Sequence, residues 1–272
     1  MAQALEIVKG KSRIQVGYRS PGLSKTLNPN EKMLLCKDLG MSIIEPQIHA
    51  NEFPTLNDAK SYKEAADKHG IMITSAGVFM PYGDKDKQDE VESYGDYALE
   101  VAKILGVDYL FTLVNHPPEN VPHQETWDLV KGGLITFVSK SQKLDIEVSL
   151  EPEWFLGSLE RVVKMIKEVD HQNFKYINFD ATNFYTNGSD PRDCVRNHHG
   201  IIKNGHIKDG FYRTNQKSES KIGEGEVPWK EIFECMLETG QEYTMHIEHC
   251  GKPQQVIDAA AFVRKTFAEI TK

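Results

Sequence analysis

The sequence is poor in cysteine and has no long uninterrupted apolar run. Its 272 residues contain four cysteines, which lie far apart with no C-x-x-C pair. This spacing argues against a disulfide framework and favours a reducing, cytoplasmic compartment. No segment approaches the roughly 18 to 20 apolar residues of a membrane span. The N-terminus, MAQALEIVKGKSR, lacks the basic start and apolar core of a secretory signal. We therefore expect no membrane partner.

Basic residues are in the minority. The chain has 32 Lys and Arg against 40 Asp and Glu, a formal net charge of -8. A surface of this sign repels nucleic-acid phosphates and anionic membranes, so we expect no nucleic-acid partner. The remaining composition is that of an ordinary globular protein, with 39% hydrophobic and 26% charged residues.

Short apolar runs alternate with longer amphipathic stretches along the whole chain. The runs cover residues 13–18, 41–46, 71–78, 107–115, 146–151, 175–180, 201–208 and 243–249. Strands that alternate with helices pair in parallel, because each helix returns the chain to the same end of the sheet. No linker or composition shift divides the sequence. The pattern predicts the α/β class and a single (β/α)8 TIM barrel, with residues 1–272 as one domain.

The helices are predicted over 56–69, 87–105, 158–169 and 252–271. The first two stop at Gly70 and Gly106, where a C-terminal glycine is expected. An open doubly wound sheet is the alternative architecture. It would require a glycine-rich phosphate loop after the first strand, and the sequence there, GYRSPGLSK, does not match one.

Four of the predicted strands end in side chains that can bind a metal. These are Glu151 in VSLEPEW, Asp180 in INFDATN, His206 in NGHIKDG and Glu248 in MHIEHCG. The carboxyl ends of parallel barrel strands meet at one rim, so we expect the four side chains to converge there. Three carboxylates and one imidazole suit one divalent ion. We expect Mn²⁺ first, with Mg²⁺, Co²⁺ or Zn²⁺ as alternatives.

Each of these residues also has a structural interpretation. Glu151 precedes a proline and could be a loop residue, Asp180 could cap a turn, and a lone strand histidine is usually a core residue. Further candidates surround the four. We expect the catalytic group to consist of Glu151, Glu248, Lys208 and His246, and the substrate-binding group to consist of Glu45, His116, Asn183, Trp154 and Arg213.

Two of these candidates have specific alternatives. Trp154 could form a wall against a sugar or a dimer contact. Arg213 lies in a long polar loop, 210–227, which could cover the barrel mouth and meet a substrate phosphate, or be simply solvated. Cys250 lies two residues beyond Glu248, but no general base accompanies it, so we do not expect a catalytic thiol.

The phrases LEPEW, FDATNF followed by GSDP, HIKD, IGEGEVPW and MHIEH resemble the xylose isomerase-like TIM-barrel superfamily. This superfamily of sugar phosphate isomerases and epimerases includes D-tagatose 3-epimerase-like and inosose-processing relatives. The resemblance implies that Glu151, Asp180, His206 and Glu248 bind one divalent metal, and that the two glutamates exchange protons with substrate. Asn183 departs from the ketose 3-epimerases, which carry histidine there. The glutamate that those enzymes have a few residues beyond the strand-five ligand is also absent.

The expected function is a metal-dependent isomerase or epimerase acting on a ketose or related polyol-derived carbonyl compound. The reaction would pass through a metal-stabilised enediolate. A dehydratase or lyase acting on a keto-sugar, keto-inositol or dehydroshikimate-like substrate is the alternative. An apurinic endonuclease would need a three-metal cluster with more histidines. A non-catalytic sugar-binding barrel is a further interpretation. The partner is a small carbohydrate or polyol substrate, and a homo-oligomer stays open.

Overall fold

Parallel strands from eight parts of the chain form a closed barrel in the computed structural model, which describes residues 3–49, 51–114, 122–211 and 218–272. The strands, in chain order, are β1 (Glu6–Lys9), β2 (Ser12–Arg19), β3 (Ile43–Glu45), β4 (Gln47–Ile48), β5 (Met72–Ile73), β6 (Ala76–Met80), β7 (Tyr109–Val114), β8 (Glu147–Leu150), β9 (Tyr176–Asp180), β10 (Ile202–Ile207), β11 (Asp209–Phe211), β12 (Ser218–Ser220) and β13 (Glu242–Ile247). The short pairs β3/β4 and β5/β6 are each one barrel strand with an interruption.

The pairing closes the barrel without an edge. β2 pairs in parallel with β3 on one side and β13 on the other, and β13 pairs with β10. The ladder then runs through β9, β8, β7 and β6 to β4. Outside it, β1 pairs with β2 and β11 with β12, both antiparallel. The predicted (β/α)8 barrel is confirmed.

Helices cover the outside of the barrel. They are α1 (Pro29–Asp38), α2 (Leu56–His69), α3 (Gln88–Leu105), α4 (His123–Gln142), α5 (Leu159–Val169), α6 (Ala181–Thr186), α7 (Pro191–His198), α8 (Trp229–Leu237) and α9 (Pro253–Ile270). Gly70 and Gly106, at the ends of α2 and α3, both have φ of 69°. In this left-handed conformation a side chain would be strained, which explains the two glycines.

The apolar core lies between the helices and the outer face of the sheet. The buried face of α3 presents Val91, Ala98, Leu99, Ala102 and Leu105 at helical spacing. The inside of the barrel, in contrast, contains buried polar side chains such as Ser75, Asn178 and Asn204. Because buried polar groups need partners, we expect the side chains inside the barrel to form a hydrogen-bonded network. Among the described helices, none has the length and apolar character required to cross a bilayer.

Candidate metal centre and active site

The four strand-end side chains converge at the carboxyl end of the barrel. Glu151 directly follows β8, Asp180 ends β9, His206 lies on β10, and Glu248 directly follows β13. The register places His206 level with Asp180 on the neighbouring strand β9. One donor atom from each of the four lies within 4.8 Å of the others, and all four residues are buried. Metal–ligand distances of about 2.0–2.2 Å place opposite donors roughly 4 Å apart, so this spacing is close to that of one ion's ligands.

The imidazole of His206 has its two nitrogens in different surroundings. Nδ1 lies 3.1 Å from Oε1 of Glu151 and 3.6 Å from Oε2 of Glu248. Nε2 lies 2.8 Å from Oε1 of Glu45. When Nε2–H donates to Glu45, Nδ1 keeps its lone pair and faces the other carboxylates. A carboxylate that holds the far nitrogen of a histidine in this way is typical of metal sites.

Three buried carboxylate oxygens in the cluster have no hydrogen bond. They are Oε2 of Glu151, Oδ2 of Asp180 and Oε2 of Glu248. Oδ2 of Asp180 does lie 2.9 Å from Nζ of Lys208, an ion pair without hydrogen-bond geometry. Charged oxygens in such a position require a cation. The donor set therefore fits a divalent metal.

The buried charges of the site are unequal. Within the described part of the chain, four carboxylates, of Glu45, Glu151, Asp180 and Glu248, face two permanently charged cations, those of Arg19 and Lys208. The formal excess is two negative charges, which one divalent ion with a neutral histidine would balance. A second ion would leave the buried site with excess positive charge.

The shifts in pKa agree with this imbalance. Burial alone would lower the pKa of His206, but the carboxylates of Glu151, Glu248 and Glu45 raise it well above its usual value. Burial also raises the pKa of Asp180, and Lys208 offsets only part of this change. Without a metal, a proton on the imidazole thus takes the place of the missing positive charge.

Glu153 lies beside the cluster and is half-buried. Burial, reinforced by the negative charge of Glu151, raises the pKa of Glu153 to about 8. Its place after Pro152 in LEPEW predicts a solvated residue or a substrate contact and not a metal ligand. Its position adds a further carboxyl group to the mouth of the barrel.

Two predicted residues lie directly against the four. Lys208 has its Nζ 2.9 Å from Asp180 and 3.5 Å from Glu248. These carboxylates outweigh the effect of burial and raise the pKa of Lys208 well above its usual value, so the ammonium group stays charged. Asn183, at the start of α6, donates its backbone N–H to Asp180 and has Nδ2 3.5 Å from Glu151. The structure thus brings both to the candidate site.

Glu45 and His246 lie beside His206, and each is 0% exposed. Glu45 interacts with His206, Asn204 and the hydroxyl of Ser75. The Nε2 atom of His246 lies 3.0 Å from the hydroxyl of Thr74. Burial lowers the pKa of His246 to about 4, so its ring is neutral at pH 7. These positions favour support of the cluster over contact with substrate.

Of the other three predicted residues, the structure describes only Trp154. Trp154 is at the rim, 39% exposed, with a left-handed φ of 44°. Such a conformation is strained for tryptophan and is common near functional sites. His116 and Arg213 fall outside the described residues.

Two buried charged residues at the mouth were missed by sequence reasoning. Arg19, at the end of β2, contacts Glu248 and lies 3.0 Å from Glu45. Its signal was a charged residue at the carboxyl end of the first strand, a position that often belongs to the active site. Asp209 begins the segment after β10, and its carboxylate accepts four backbone N–H groups, of Gly210, Gly223, Gly225 and Val227. It shapes the loop 221–227, which carries the motif IGEGEV.

Residues 33–266 match the family described as Xylose isomerase-like TIM barrel, and the chain belongs to this family. A search of curated proteins finds no match.

Several solved structures share the fold. A D-tagatose 3-epimerase-like protein has a TM-score of 0.78 at 18% identity, covering 94% of this chain and 98% of its own. A probable 3-DHS dehydratase, AsbF from Bacillus anthracis, has 0.73 at 15% identity, covering 94% and 98%. The IOLI protein with a bound zinc atom has 0.73 at 17% identity, covering 94% and 96%. At these identities the likeness shows the fold alone.

Proposed function

We propose that the protein is a divalent-metal-dependent isomerase or epimerase acting on a ketose or related polyol-derived carbonyl compound. The observation that carries this proposal is the buried cluster of Glu151, Asp180, His206 and Glu248, in which three carboxylate oxygens have no hydrogen bond. The four residues would hold one ion, with Mn²⁺ as the first candidate. When bound, this ion supplies electrostatic stabilisation of the charge that develops on adjacent substrate oxygens.

The two glutamates would exchange protons with a substrate from two sides. Glu151 comes from β8 and Glu248 from β13, and strands β9 and β10 lie between them in the barrel. Removal of a proton next to a carbonyl by one glutamate leaves an enediolate, and the other returns a proton on the opposite face. A carboxylate near a cation is a weak base, so the acidification of the substrate has to outweigh this effect.

The surroundings suit a polyhydroxylated molecule. The charged Lys208 can donate hydrogen bonds to a substrate oxygen, and Asn183 offers an amide beside Glu151. A cavity of about 280 Å³ adjoins Lys208 and Glu248 and extends to His249 and Glu219. Its polar lining favours hydroxyl groups over an apolar ligand.

Exchange of the substrate α-hydrogen with solvent deuterium tests the proposal. Metal-free protein is loaded with Mn²⁺ and incubated in D₂O with free and phosphorylated ketoses and keto-inositols. We expect mass increase by one deuterium for at least one compound. Glu151→Gln should lower the rate about 10³-fold, since it removes a proton-transfer group. Glu147→Gln is the matched control on the same strand, because Glu147 pairs with Lys203 outside the cluster. No exchange with any compound, or full activity of Glu151→Gln, would contradict the proposal.

Dehydration of a keto-sugar, keto-inositol or dehydroshikimate-like acid is the second candidate. It shares the first proton removal, after which a hydroxyl leaves instead of a proton returning. Asn183 supports dehydration as a candidate, since its amide replaces the histidine expected of ketose 3-epimerases. In the same assay, elimination would appear as an enone absorbance with loss of water from the product.

A further inference from the structure

The guanidinium group of Arg19 contacts two carboxylates at the candidate metal centre, those of Glu248 and Glu45. Arg19 is 5% exposed and ends β2. Its Nη1 donates to Oε1 of Glu248, and its Nε lies 3.0 Å from Oε1 of Glu45. Its Nη2 donates to Oε1 of Gln47 at 3.3 Å. Nη1 and Nη2 therefore donate to acceptors on other parts of the barrel, while Nε forms an ion pair with Glu45 without hydrogen-bond geometry.

The surroundings hold this guanidinium in one place. Its central carbon lies 5.0 Å from the ring centre of Phe111 and 5.8 Å from that of Phe79. Gly77, on β6, leaves the necessary room, since a Cβ there would lie 3.1 Å from Nη2 of Arg19 and 2.5 Å from the Phe111 ring. A group packed between rings, with fixed acceptors, has little rotational freedom.

These two contacts lead to two of the proposed metal ligands, to Glu248 directly and to His206 through Glu45. Because Oε1 of Glu248 is occupied by Arg19, Oε2 is the oxygen left to face the cluster, 3.6 Å from Nδ1 of His206. Oε1 of Glu45, in turn, lies 3.0 Å from Nε of Arg19 and 2.8 Å from Nε2 of His206. Arg19 therefore fixes the carboxylate that orients the imidazole.

We propose that Arg19 is a positioning residue that orients Glu248 directly and His206 through Glu45, so that both present donor atoms to one divalent ion. This inference rests on the metal centre proposed above. It concerns the affinity for the ion, so it can be tested without any substrate.

Charge and orientation predict opposite results for variants of Arg19. A positive charge close to a cation repels it, so loss of charge alone would tighten metal binding. Loss of orientation would weaken it, typically by 10- to 100-fold for partners of metal ligands. Arg19→Lys keeps the charge but cannot span Glu248 and Glu45 with a planar fork. Arg19→Met removes both charge and fork.

Calorimetric titration of metal-free protein with Mn²⁺, together with electron paramagnetic resonance of the bound ion, provides the measurement. We expect Arg19→Lys and Arg19→Met both to raise Kd about 10- to 100-fold. Arg13→Lys is the matched control, because Arg13 lies on the same strand and pairs with Glu6 at the surface. It should bind like the wild type. Circular dichroism checks that each variant is folded.

Unchanged affinity in Arg19→Lys, or tighter binding in Arg19→Met, would overturn the inference while leaving the proposed function intact. If Arg19→Met does not fold, Glu45→Gln replaces it, and it should weaken Mn²⁺ binding and be non-additive with Arg19→Lys. A wild-type protein that binds no Mn²⁺ would refute the metal centre and this inference together. Wild-type binding without deuterium exchange would count only against the proposed function.

Discussion

At the scale of single residues, depth in the barrel separates groups that can meet substrate from groups that support them. Glu151 and Glu248 lie at the strand ends, next to the mouth. His246 is on β13 two positions earlier and is fully buried. Side chains two apart on a strand share a face and differ in depth by about 6–7 Å. On the proposed function, Glu248 would therefore meet the substrate above, and His246 would support it from below.

This difference in depth predicts unequal losses of activity. His246→Asn should lower kcat/KM for deuterium exchange no more than about tenfold, because a ring bonded to Thr74 with a pKa of about 4 is a weak base and carries no acidic imidazolium proton at pH 7. Glu151→Gln should lower it about 10³-fold. Steady-state kinetics of both variants checks this, and equal losses would restore His246 as a catalytic group.

The thiol of Cys250 should not take part in the reaction. Burial, together with the charge of Glu248, raises the pKa of this thiol to about 12. Below that pH it stays protonated and is a poor nucleophile. We expect Cys250→Ser to retain at least half the wild-type exchange rate, and iodoacetamide to leave native Cys250 unmodified at pH 8 by peptide mass analysis. Rapid alkylation with loss of activity would refute this.

At the scale of elements, the segment after β10 depends on one carboxylate. Asp209 accepts four backbone N–H groups, and a Cβ at Gly225 would lie 2.1 Å from its Oδ1. The turn can approach the carboxylate so closely only with glycine at this position. In the described part of the predicted polar loop 210–227, β11 pairs with β12 and Asp209 holds the turn at 221–227.

Removal of this carboxylate should loosen the segment. Asp209→Ala leaves several backbone donors unpaired, three of them in 221–227, and we expect about 3 kcal/mol less stability in urea unfolding. Hydrogen exchange of residues 221–227 should accelerate. Asp38→Ala, at an exposed position on α1, should change stability by less than about 0.5 kcal/mol. Similar effects of the two substitutions would argue against this role.

At the scale of the whole molecule, the candidate metal centre joins strands from distant parts of the sequence. Glu151 and Glu248 are nearly a hundred positions apart, and Arg19 precedes both. An ion that binds only the folded barrel stabilises every strand that contributes to the centre. Metal binding should therefore raise the stability of the protein as a unit.

Thermal unfolding with and without metal measures this stabilisation. At a free Mn²⁺ concentration 100 times Kd, the gain is about 2.7 kcal/mol, or roughly 5–10 °C in Tm. Chelation with EDTA should reverse it. Asp180→Ala should abolish the shift, whereas Glu147→Gln should preserve it. A Tm that does not respond to any divalent ion would contradict a metal centre.

Much of this architecture could be predicted from the sequence alone. The limits of α2 follow from an apolar stripe, a threonine cap and a terminal glycine, all of which are local features. The positions of Glu151, Asp180, His206 and Glu248 followed from one rule, that parallel strands end at the same rim. The short strands β1, β4, β11 and β12 were not predicted. Their few residues carry too little pattern to distinguish them from loops.

The linear order of residues thus determined the barrel and the gathering of four metal-capable side chains, because periodicity and strand direction are properties of the chain itself. Only tertiary structure decided which neighbours hold those side chains. Arg19, Glu45 and His206 come from three different strands, and no local pattern relates them. Their contacts arise when the sheet closes and sets β2 beside β13. Closure also buries these charged side chains next to one another.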